Sequence, residues 1–435
     1  MEKYLVKRIF HKADIVVEVP GSKSITNRAL LMAAMADGVS KIEGVLFSQD
    51  SRYFLQALKD LGFFVEVNEP KKEVTIRGEG GKIPKEQAEI YVGSAGTAAR
   101  FLTALLAMGT GKYRIDASEQ MKKRPMKELL VVLEELGAVI EYEEEPYTFP
   151  LKMQGITEAG KRTVELNIDR SSQFLSALLM VAPLRFEELT ISLTGKRSAR
   201  SYVAMTEQMM KQFGHTGVEQ TGENVYRVCK EDYQTRDYQV EPDVSAACYF
   251  YAMAAVNGGS AVVKHMRRDS LQGDMRFLEV LEQMGCSLEW KQQSGEEVLV
   301  LNGPAAGELK GVSVSLSDFS DQALTLAAIA PYASSEVEIT GIGHIRQQEC
   351  DRIHAMAEAL HTMGITCEER QDGIKIFPGM PKSGSIQTFD DHRVAMAFAV
   401  TGIGAEGIEI ENPTCCQKTF PEYFAILDTI ADEKR

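Results

Sequence analysis

Cationic and hydroxyl side chains stand at the start of a segment that is otherwise apolar. The segment GSKSITNRALLMAAMADG, residues 21–38, carries Lys23, Ser24 and Arg28 ahead of a body of Ala, Leu and Met. Charged side chains are rarely buried without a partner, and the amino end of a buried helix is itself partly positive. Cations there would repel the helix end unless an anion binds. The pattern therefore predicts a site for an anionic ligand.

This design occurs six times along the chain, which suggests a shared site lined by several helix starts. The six segments are KSITNRALLMAAMA, AGTAARFLTALLAM, RSSQFLSALLMVA, PDVSAACYFYAMAAV, FSDQALTLAAIA and DDHRVAMAFAV. Their marker residues, 70 to 76 positions apart, are Ser24, Thr97, Ser172, Ser245, Asp321 and Asp391. Because Ser, Thr and Asp are favoured caps, we expect each marker to cap a buried helix. Capping alone does not explain the nearby cations at Arg100 and Arg393.

A second series of motifs runs in step with the first. Leucine-rich amphipathic segments end at Gly62, Gly137, Gly214, Gly285 and Gly364, which lie 71 to 79 residues apart, and an extended segment follows each one. A glycine after an amphipathic period indicates a helix end, and the residues beyond it read as a strand. The chain is thus predicted to be an α/β protein of six copies of one unit, each with a buried helix, an amphipathic helix and several short strands.

Composition excludes several classes of protein. A net charge of −14 argues against nucleic-acid binding but still allows a local cationic pocket. No apolar run approaches the roughly 18 residues of a membrane span, and the charged N-terminus does not resemble a signal peptide. Seven Cys without a CxxC motif indicate reduced thiols in a cytoplasmic protein, and the seven His show no metal-ligand spacing. GSKS is not a P-loop, because Ser22 stands where a glycine must precede the lysine.

Eight stretches carry a resemblance to a known family. They are PGSKSITNRALL, SAGTAARF, KKRPM, SSQFLSALL, FSDQALT, ECDR, DDHRVAM and QKTFPEYF. Together and in this order they resemble the motifs of the 5-enolpyruvylshikimate-3-phosphate synthase family. The resemblance implies transfer of the enolpyruvyl group of phosphoenolpyruvate to the 5-hydroxyl of shikimate 3-phosphate, through a tetrahedral intermediate, with release of phosphate. It also implies a monomeric cytoplasmic enzyme of the shikimate pathway to chorismate and the aromatic amino acids, without cofactor or metal.

The family fold agrees with the sixfold repeat. It implies two globular domains, residues 21–240 and residues 1–20 plus 241–435, with the active site in the cleft between them. Each domain would contain three copies of a βαβαββ-type unit around buried central helices, an inside-out αβ barrel. The crossings near Pro20–Gly21 and Glu241–Pro242 contain Pro or Gly, as hinges often do.

By the same resemblance, both substrates meet cations, because both are anions. The residues expected to bind phosphoenolpyruvate are Lys23, Gly96, Arg124, Gln173, Arg352, Arg393 and Lys418. Those expected to bind shikimate 3-phosphate are Lys23, Ser24, Arg28, Ser171, Ser172, Gln173, Ser198, Arg200, Tyr202, Asp321, His344 and Gln348. Arg suits bidentate contacts with carboxylates and phosphates, and hydroxyl and amide groups suit a polyol.

The catalytic residues implied are Asp321, Glu349 and Lys23. Asp321 would accept the proton of the 5-hydroxyl, Glu349 would exchange a proton with the methylene carbon, and Lys23 would stabilise charge on the oxygens. The sequence departs from the family at Gln348, where a Lys is usual, and at His344, where an Asn often stands. SARSY, residues 198–202, matches its counterpart only loosely.

Three alternatives are weaker. The related enolpyruvyl transferase that acts on UDP-N-acetylglucosamine usually carries a reactive Cys in its first half, whereas no Cys precedes Cys229 here. A catalytically inactive repeat protein would not need Asp321 and Glu349 together with the cations. A nucleotide-binding protein is excluded with the P-loop. Gly96 favours sensitivity to glyphosate, the family's inhibitor, although Ser94 and Phe101 differ from common residues beside it.

Overall fold

The repeat in the sequence is one structural unit of strands and helices. The computed structural model describes residues 2–158, 162–195, 200–293, 295–305 and 307–432. In one copy of the unit, strand Gln87–Tyr91 pairs in parallel with strand Lys112–Asp116, and helix Gly96–Met108 makes the crossover that a parallel pair requires. Two further strands then pair antiparallel alongside. The predicted βαβαββ unit is confirmed.

The chain folds into two compact parts, and each contains three copies of this unit. Gly21–Val240 is called the central domain here, and Met1–Pro20 together with Glu241–Arg435 is called the terminal domain. The elements up to the end of the central domain are β1 (Lys3–Leu5), β2 (Asp14–Val17), α1 (Lys23–Met35), β3 (Asp37–Glu43), α2 (Gln49–Asp60), β4 (Phe64–Asn68), β5 (Glu73–Glu79), β6 (Gln87–Tyr91), α3 (Gly96–Met108), β7 (Lys112–Asp116), α4 (Glu119–Lys122), α5 (Lys127–Glu135), β8 (Val139–Tyr142), β9 (Leu151–Gln154), β10 (Thr163–Asn167), α6 (Gln173–Val181), β11 (Glu188–Thr194), α7 (Arg200–Gln212), β12 (Glu219–Gly222), β13 (Val225–Cys229) and β14 (Asp237–Gln239).

The remaining elements belong to the terminal domain. They are α8 (Val244–Asn257), β15 (Ser260–Val263), α9 (Arg276–Gln283), β16 (Ser287–Gln293), β17 (Glu296–Asn302), β18 (Ser313–Ser315), α10 (Ala323–Ile329), β19 (Val337–Thr340), α11 (Arg352–Thr362), β20 (Cys367–Arg370), β21 (Gly373–Ile376), β22 (Gly384–Ile386), α12 (His392–Gly404), β23 (Ile408–Glu411) and α13 (Tyr423–Asp432). Short 3-10 turns occupy Glu69–Lys71, Ala182–Leu184, Gly273–Met275, Ser320–Gln322, Ala330–Tyr332, Gly343–Gln347 and Pro413–Lys418.

The sheets share one strand order, which shows that the units are equivalent. In the central domain the orders are β14-β3-β5-β4, β6-β7-β9-β8 and β10-β11-β13-β12. In the terminal domain they are β16-β17-β15-β2, β18-β19-β21-β20 and the three-stranded β1-β23-β22. Strands β1, β2 and β14 are each distant in sequence from the unit whose sheet they complete. The N-terminal residues are therefore an integral part of the terminal domain.

The cores are made of the small-residue helices, as expected for helices that are apolar on every side. Helix α3 packs on α1 and α6, and α8, α10 and α12 pack against one another. Every residue of α3 and of α10 is buried. Strands such as β10 alternate buried and exposed residues, so one face of each such sheet covers the core. The described residues contain no helix long and apolar enough to cross a membrane.

The glycines predicted to end the amphipathic helices do so. Gly62, Gly137, Gly214, Gly285 and Gly364 all have positive φ angles, between 72° and 111°. This left-handed conformation carries a steric cost for residues with a Cβ atom and is the usual way for a helix to end.

The capping prediction is mostly wrong. Of the six marker residues, only Asp391 makes a capping hydrogen bond with its side chain, accepting from the Arg393 N–H; Ser172 holds the N-cap position of α6 without such a bond. Helix α8 is capped by Asp243, and Ser245 lies inside it. In the central domain, no side chain within the described ranges caps α1, α3 or α6. The markers begin these helices without capping them because Ser24 and Thr97 are already second residues of their helices.

Candidate active site

In the terminal domain, the predicted site residues gather around one buried guanidinium. Arg352 is the first residue of α11 and is 1% exposed. Its Nη1 donates to Asp321 Oδ1 at 3.1 Å, its Nη2 to Glu349 Oε2 at 3.0 Å, and its Nε to Asp391 Oδ2 at 2.8 Å. The 3-10 turn before α10 and the starts of α11 and α12 therefore meet at this cation.

Two further cations complete the cluster. Arg393, at the start of α12, lies with Nη2 2.8 Å from Asp321 Oδ2. Lys418, which ends a 3-10 turn, is buried and lies with Nζ 3.7 Å from Glu349 Oε1. The group therefore contains three cations and, with Asp391, three carboxylates. Its charges balance without a ligand.

The neighbouring carboxylates outweigh burial in setting the pKa of Arg352. Burial lowers the pKa of the Arg352 guanidinium, but the carboxylates of Asp391, Glu349 and Asp321 raise it above its usual value overall. The pKa of Arg393 is likewise raised well above its ordinary value, against the effect of burial, chiefly by Asp321. Both groups stay cationic at any physiological pH.

The two departures from the family pattern lie at the edge of this cluster. The Gln348 side-chain oxygen accepts a hydrogen bond from Arg352 Nη1, so it contacts the same cation as the carboxylates. His344 Nε2 lies 2.8 Å from Ser320 Oγ, next to Asp321 in the chain. Gln348 therefore shares Arg352 with Asp321, and His344 contacts the residue that precedes Asp321 in the chain.

In the central domain, Arg28 is buried in a different environment. It is 2% exposed, and its guanidinium donates to Thr206 Oγ1 at 2.9 Å, Ser176 Oγ at 3.0 Å and the Ser24 carbonyl at 2.9 Å. The ring of Phe101 lies 5.3 Å from its Cζ. All these partners are neutral, and burial lowers the pKa of Arg28 to about 10.

Three of the residues predicted to bind phosphoenolpyruvate, Gly96, Arg124 and Gln173, lie at or beside the starts of α3 and α6. Gln173 accepts from Arg100 Nη1 at 2.6 Å and donates to Thr97 Oγ1 at 3.2 Å. Arg124 Nη1 donates to the Ser94 carbonyl at 3.4 Å. A Cβ atom at Gly96 would lie 2.7 Å from Arg124 Nη1, so any larger residue there would require this guanidinium to move.

The remaining predicted residues lie at the starts of α1, α6 and α7, and one lies outside the described residues. Lys23 Nζ lies 3.5 Å from Asp50 Oδ2. Ser171 and Ser172 are buried at the start of α6, where Ser171 Oγ accepts from the Gln173 N–H. Tyr202 and the exposed Arg200 lie in the first turn of α7. Ser198 lies outside the described residues.

The sequence did not identify four residues that contact the predicted ones. Asp391 served only as a helix marker, yet it is the closest carboxylate to Arg352; its position two residues before Arg393 in DDHR was an available signal. Asp50, Ser176 and Thr206 come from other helices, and no local pattern distinguishes them. Among the described residues, no group of three or more His, Cys, Asp or Glu is arranged to hold a metal ion.

Comparisons with known proteins identify the family. The family model described as EPSP synthase (3-phosphoshikimate 1-carboxyvinyltransferase) matches residues 10–427. The 3-phosphoshikimate 1-carboxyvinyltransferase of Trichormus variabilis is 44% identical over 425 residues, which are 98% of each chain. A relative from Halalkalibacterium halodurans named 3-phosphoshikimate 1-carboxyvinyltransferase 2 is 39% identical, over 96% of this chain and 92% of its own.

A solved structure shows the same fold. The EPSP synthase of Acinetobacter baumannii superposes with a TM-score of 0.82 at 26% identity, covering 99% of this chain and 98% of its own. Together with the family match over nearly the whole length, this establishes that the chain belongs to the EPSP synthase (3-phosphoshikimate 1-carboxyvinyltransferase) family.

Proposed function

We propose that this protein transfers the enolpyruvyl group of phosphoenolpyruvate to the 5-hydroxyl of shikimate 3-phosphate and releases phosphate. Family membership along almost the whole chain supports the reaction. The observation that carries it is the contact of Asp321 and Glu349 with the single cation Arg352. Two carboxylates are thereby held where a substrate anion would compete for their partner.

Different sets of cations would bind the two substrates. Arg352, Arg393 and Lys418 from the terminal domain, with Lys23, Arg124, Gly96 and Gln173 from the central domain, would hold phosphoenolpyruvate. Arg28, which contacts only neutral groups among the described residues, would pair with an anionic group of shikimate 3-phosphate. Ser24, Ser171, Ser172, Gln173 and Tyr202 would bind its remaining polar groups, with His344 and Gln348 on the terminal side.

The chemistry is an addition followed by an elimination. A substrate anion that takes Arg352 from these carboxylates leaves them as stronger proton acceptors, so substrate binding would itself prepare Asp321 to accept a proton and Glu349 to carry one. Asp321 would take the proton of the attacking 5-hydroxyl while the methylene carbon receives a proton from Glu349 in its protonated form, giving a tetrahedral adduct. Glu349, now a carboxylate, would then take a methyl proton back as phosphate leaves, with Lys23 stabilising charge on the oxygens.

The test is an assay for inorganic phosphate with purified protein. We expect release when phosphoenolpyruvate and shikimate 3-phosphate are both present, and none with either alone. UDP-N-acetylglucosamine in place of shikimate 3-phosphate is the control for the related transferase. Release with the nucleotide sugar, or no release with both proposed substrates, would refute the proposal.

Two finer properties are proposed with it. Glyphosate would inhibit in competition with phosphoenolpyruvate, because Gly96 places no side chain against the Arg124 guanidinium; a titration at several phosphoenolpyruvate concentrations measures this. The protein would act as a cytoplasmic monomer with its seven cysteines as free thiols. Light scattering on a size-exclusion column would contradict the monomer by giving a multiple of the mass of one chain.

A further inference from the structure

A buried carboxylate beside the catalytic cluster has no role in the reaction described above. Asp274 lies in the 3-10 turn Gly273–Met275 and is 6% exposed. Its Oδ1 accepts from Gln322 Nε2 at 2.6 Å and from Ser245 Oγ at 3.1 Å. A carboxylate buried away from water is costly, so its retention on neutral donors needs an explanation.

The partner of Asp274 belongs to the turn that carries Asp321. Gln322 is fully buried, and its side-chain oxygen accepts from Thr325 Oγ1 at 3.0 Å, so its amide is held at both ends. On the other side of Asp321, Ser320 is held by His344 at 2.8 Å. Asp321 is thus the middle residue of a turn whose two neighbours are both fixed by side chains of other elements.

Charge links the same groups. Burial, and then the charge of Asp321, raise the pKa of Asp274 to about 6, while Arg393 and the Gln322 hydrogen bond act in the opposite direction. The other ionisable groups facing it come from α8: Asp243 at the start of the helix, and the Cys248 thiol, which contacts the Asp274 carbonyl at 3.9 Å. Asp274 and Asp321 therefore disfavour each other's ionisation.

We propose that Asp274 is a positioning residue for Asp321, fixing its turn through the hydrogen bond with Gln322. The inference rests on the proposed function, because it concerns the residue assigned to the 5-hydroxyl. It assigns Asp274 no contact with substrate.

Two substitutions separate geometry from charge. Asp274→Ala removes the acceptor for Gln322, and because a displacement of about 1 Å can cost about 100-fold in rate, we expect kcat to fall by about that factor. Asp274→Asn keeps an oxygen that can accept both hydrogen bonds but removes the charge. We expect it to retain about tenfold more turnover than Asp274→Ala, within the 100-fold span of that geometric effect.

Recovery of turnover by the conservative variant is the readout that a merely space-filling role would not give. Asp274→Asn keeps an acceptor for Gln322 and Ser245 and should turn over faster than Asp274→Ala, whereas a side chain that only filled space would give two equally slow variants. Asp269→Asn, which changes an exposed carboxylate paired with Arg267 in the same segment, is the matched control and should leave kcat unchanged.

The outcomes distinguish the two proposals. If wild-type protein transfers the enolpyruvyl group but Asp274→Ala has the wild-type kcat, or Asp274→Asn turns over no faster than Asp274→Ala, this inference alone is overturned. Wild-type protein without transfer activity overturns it together with the proposed function. Should Asp274→Ala fail to fold by circular dichroism, the turnover of Asp274→Asn decides: a kcat within about tenfold of wild type supports the inference, and a greater loss overturns it.

Discussion

Arg28 in the central domain and Arg352 in the terminal domain are both buried at 2% exposure or less, yet they are surrounded differently. Arg28 donates to two hydroxyls and a carbonyl, whereas Arg352 contacts the carboxylates of Asp321, Glu349 and Asp391. Each lies on one of the buried helices or at a helix start beside them. The two domains are built from the same unit, but Arg28 lies on a buried helix and Arg352 begins an amphipathic one, so the two cations differ in both their place in the unit and their neighbours.

The difference teaches how each cation can bind an anion. A buried charge with only neutral partners is destabilising, and an arriving anion relieves that cost directly. A buried charge with carboxylate partners is satisfied beforehand, so an arriving anion must compete for it. Under the proposed function, Arg28 would therefore gain directly from a bound anion, whereas an anion that binds Arg352 would also change the surroundings of the carboxylates.

The largest effect is expected at the carboxylate shared by two arginines. Asp321→Ala should lower kcat by roughly 10²–10⁴-fold, the usual contribution of a general acid or base. Steady-state phosphate release measures it, with substrate binding followed by calorimetry. Asp318→Ala, three residues earlier and paired with Arg276, is the control. Near-normal turnover in Asp321→Ala with intact binding would show that the terminal cluster does not perform proton transfer.

The comparison itself is tested by replacing each arginine with methionine. Arg352→Met leaves the fully buried Asp391 without its cation and should lower the free energy of unfolding by about 3–5 kcal/mol. Arg28→Met should change it by less than about 1 kcal/mol, because Thr206 and Ser176 still bond each other. Urea unfolding measures both. Equal losses in the two variants would remove the distinction between the domains.

A smaller effect is expected where glycine makes room for a cation. In Gly96→Ala the new methyl would displace the Arg124 guanidinium, and loss of a charge-assisted hydrogen bond of about 1.5–3 kcal/mol should raise the KM for phosphoenolpyruvate about 10- to 100-fold. Gly222→Ala, whose added methyl meets its nearest neighbour at 3.4 Å, is the control. An unchanged KM would mean that Arg124 does not bind this substrate.

The smallest effect concerns the residue that departs from the family. Gln348→Lys should lower the KM for shikimate 3-phosphate by about fivefold or less, since a partly exposed charge contact contributes up to about 1 kcal/mol, with little change in kcat. Gln347→Lys adds the same charge at the exposed neighbouring position and is the control. If the two variants behave alike, position 348 does not contact the substrate.

Much of the fold could be predicted because the relevant signals are local. The apolar helix bodies and the glycines at 62, 137, 214, 285 and 364 marked the repeated unit, and the positive φ angles follow from them. The capping prediction relied on residue type alone, which does not fix the residue at which a helix begins. Ser24 and Thr97 resemble caps locally, but the helices begin one residue earlier.

The sequence by itself determined the sixfold repeat, the order of helices and strands, and which cations stand at the starts of buried helices, since all of these depend on neighbouring residues. Only the tertiary structure decided that Asp391 contacts Arg352 from 39 positions away, that Thr206 contacts Arg28, and that Asp274 holds Gln322. Such pairings depend on how separate helices pack against one another. The energy of a buried charge is set by those neighbours in space, and chain order does not record them.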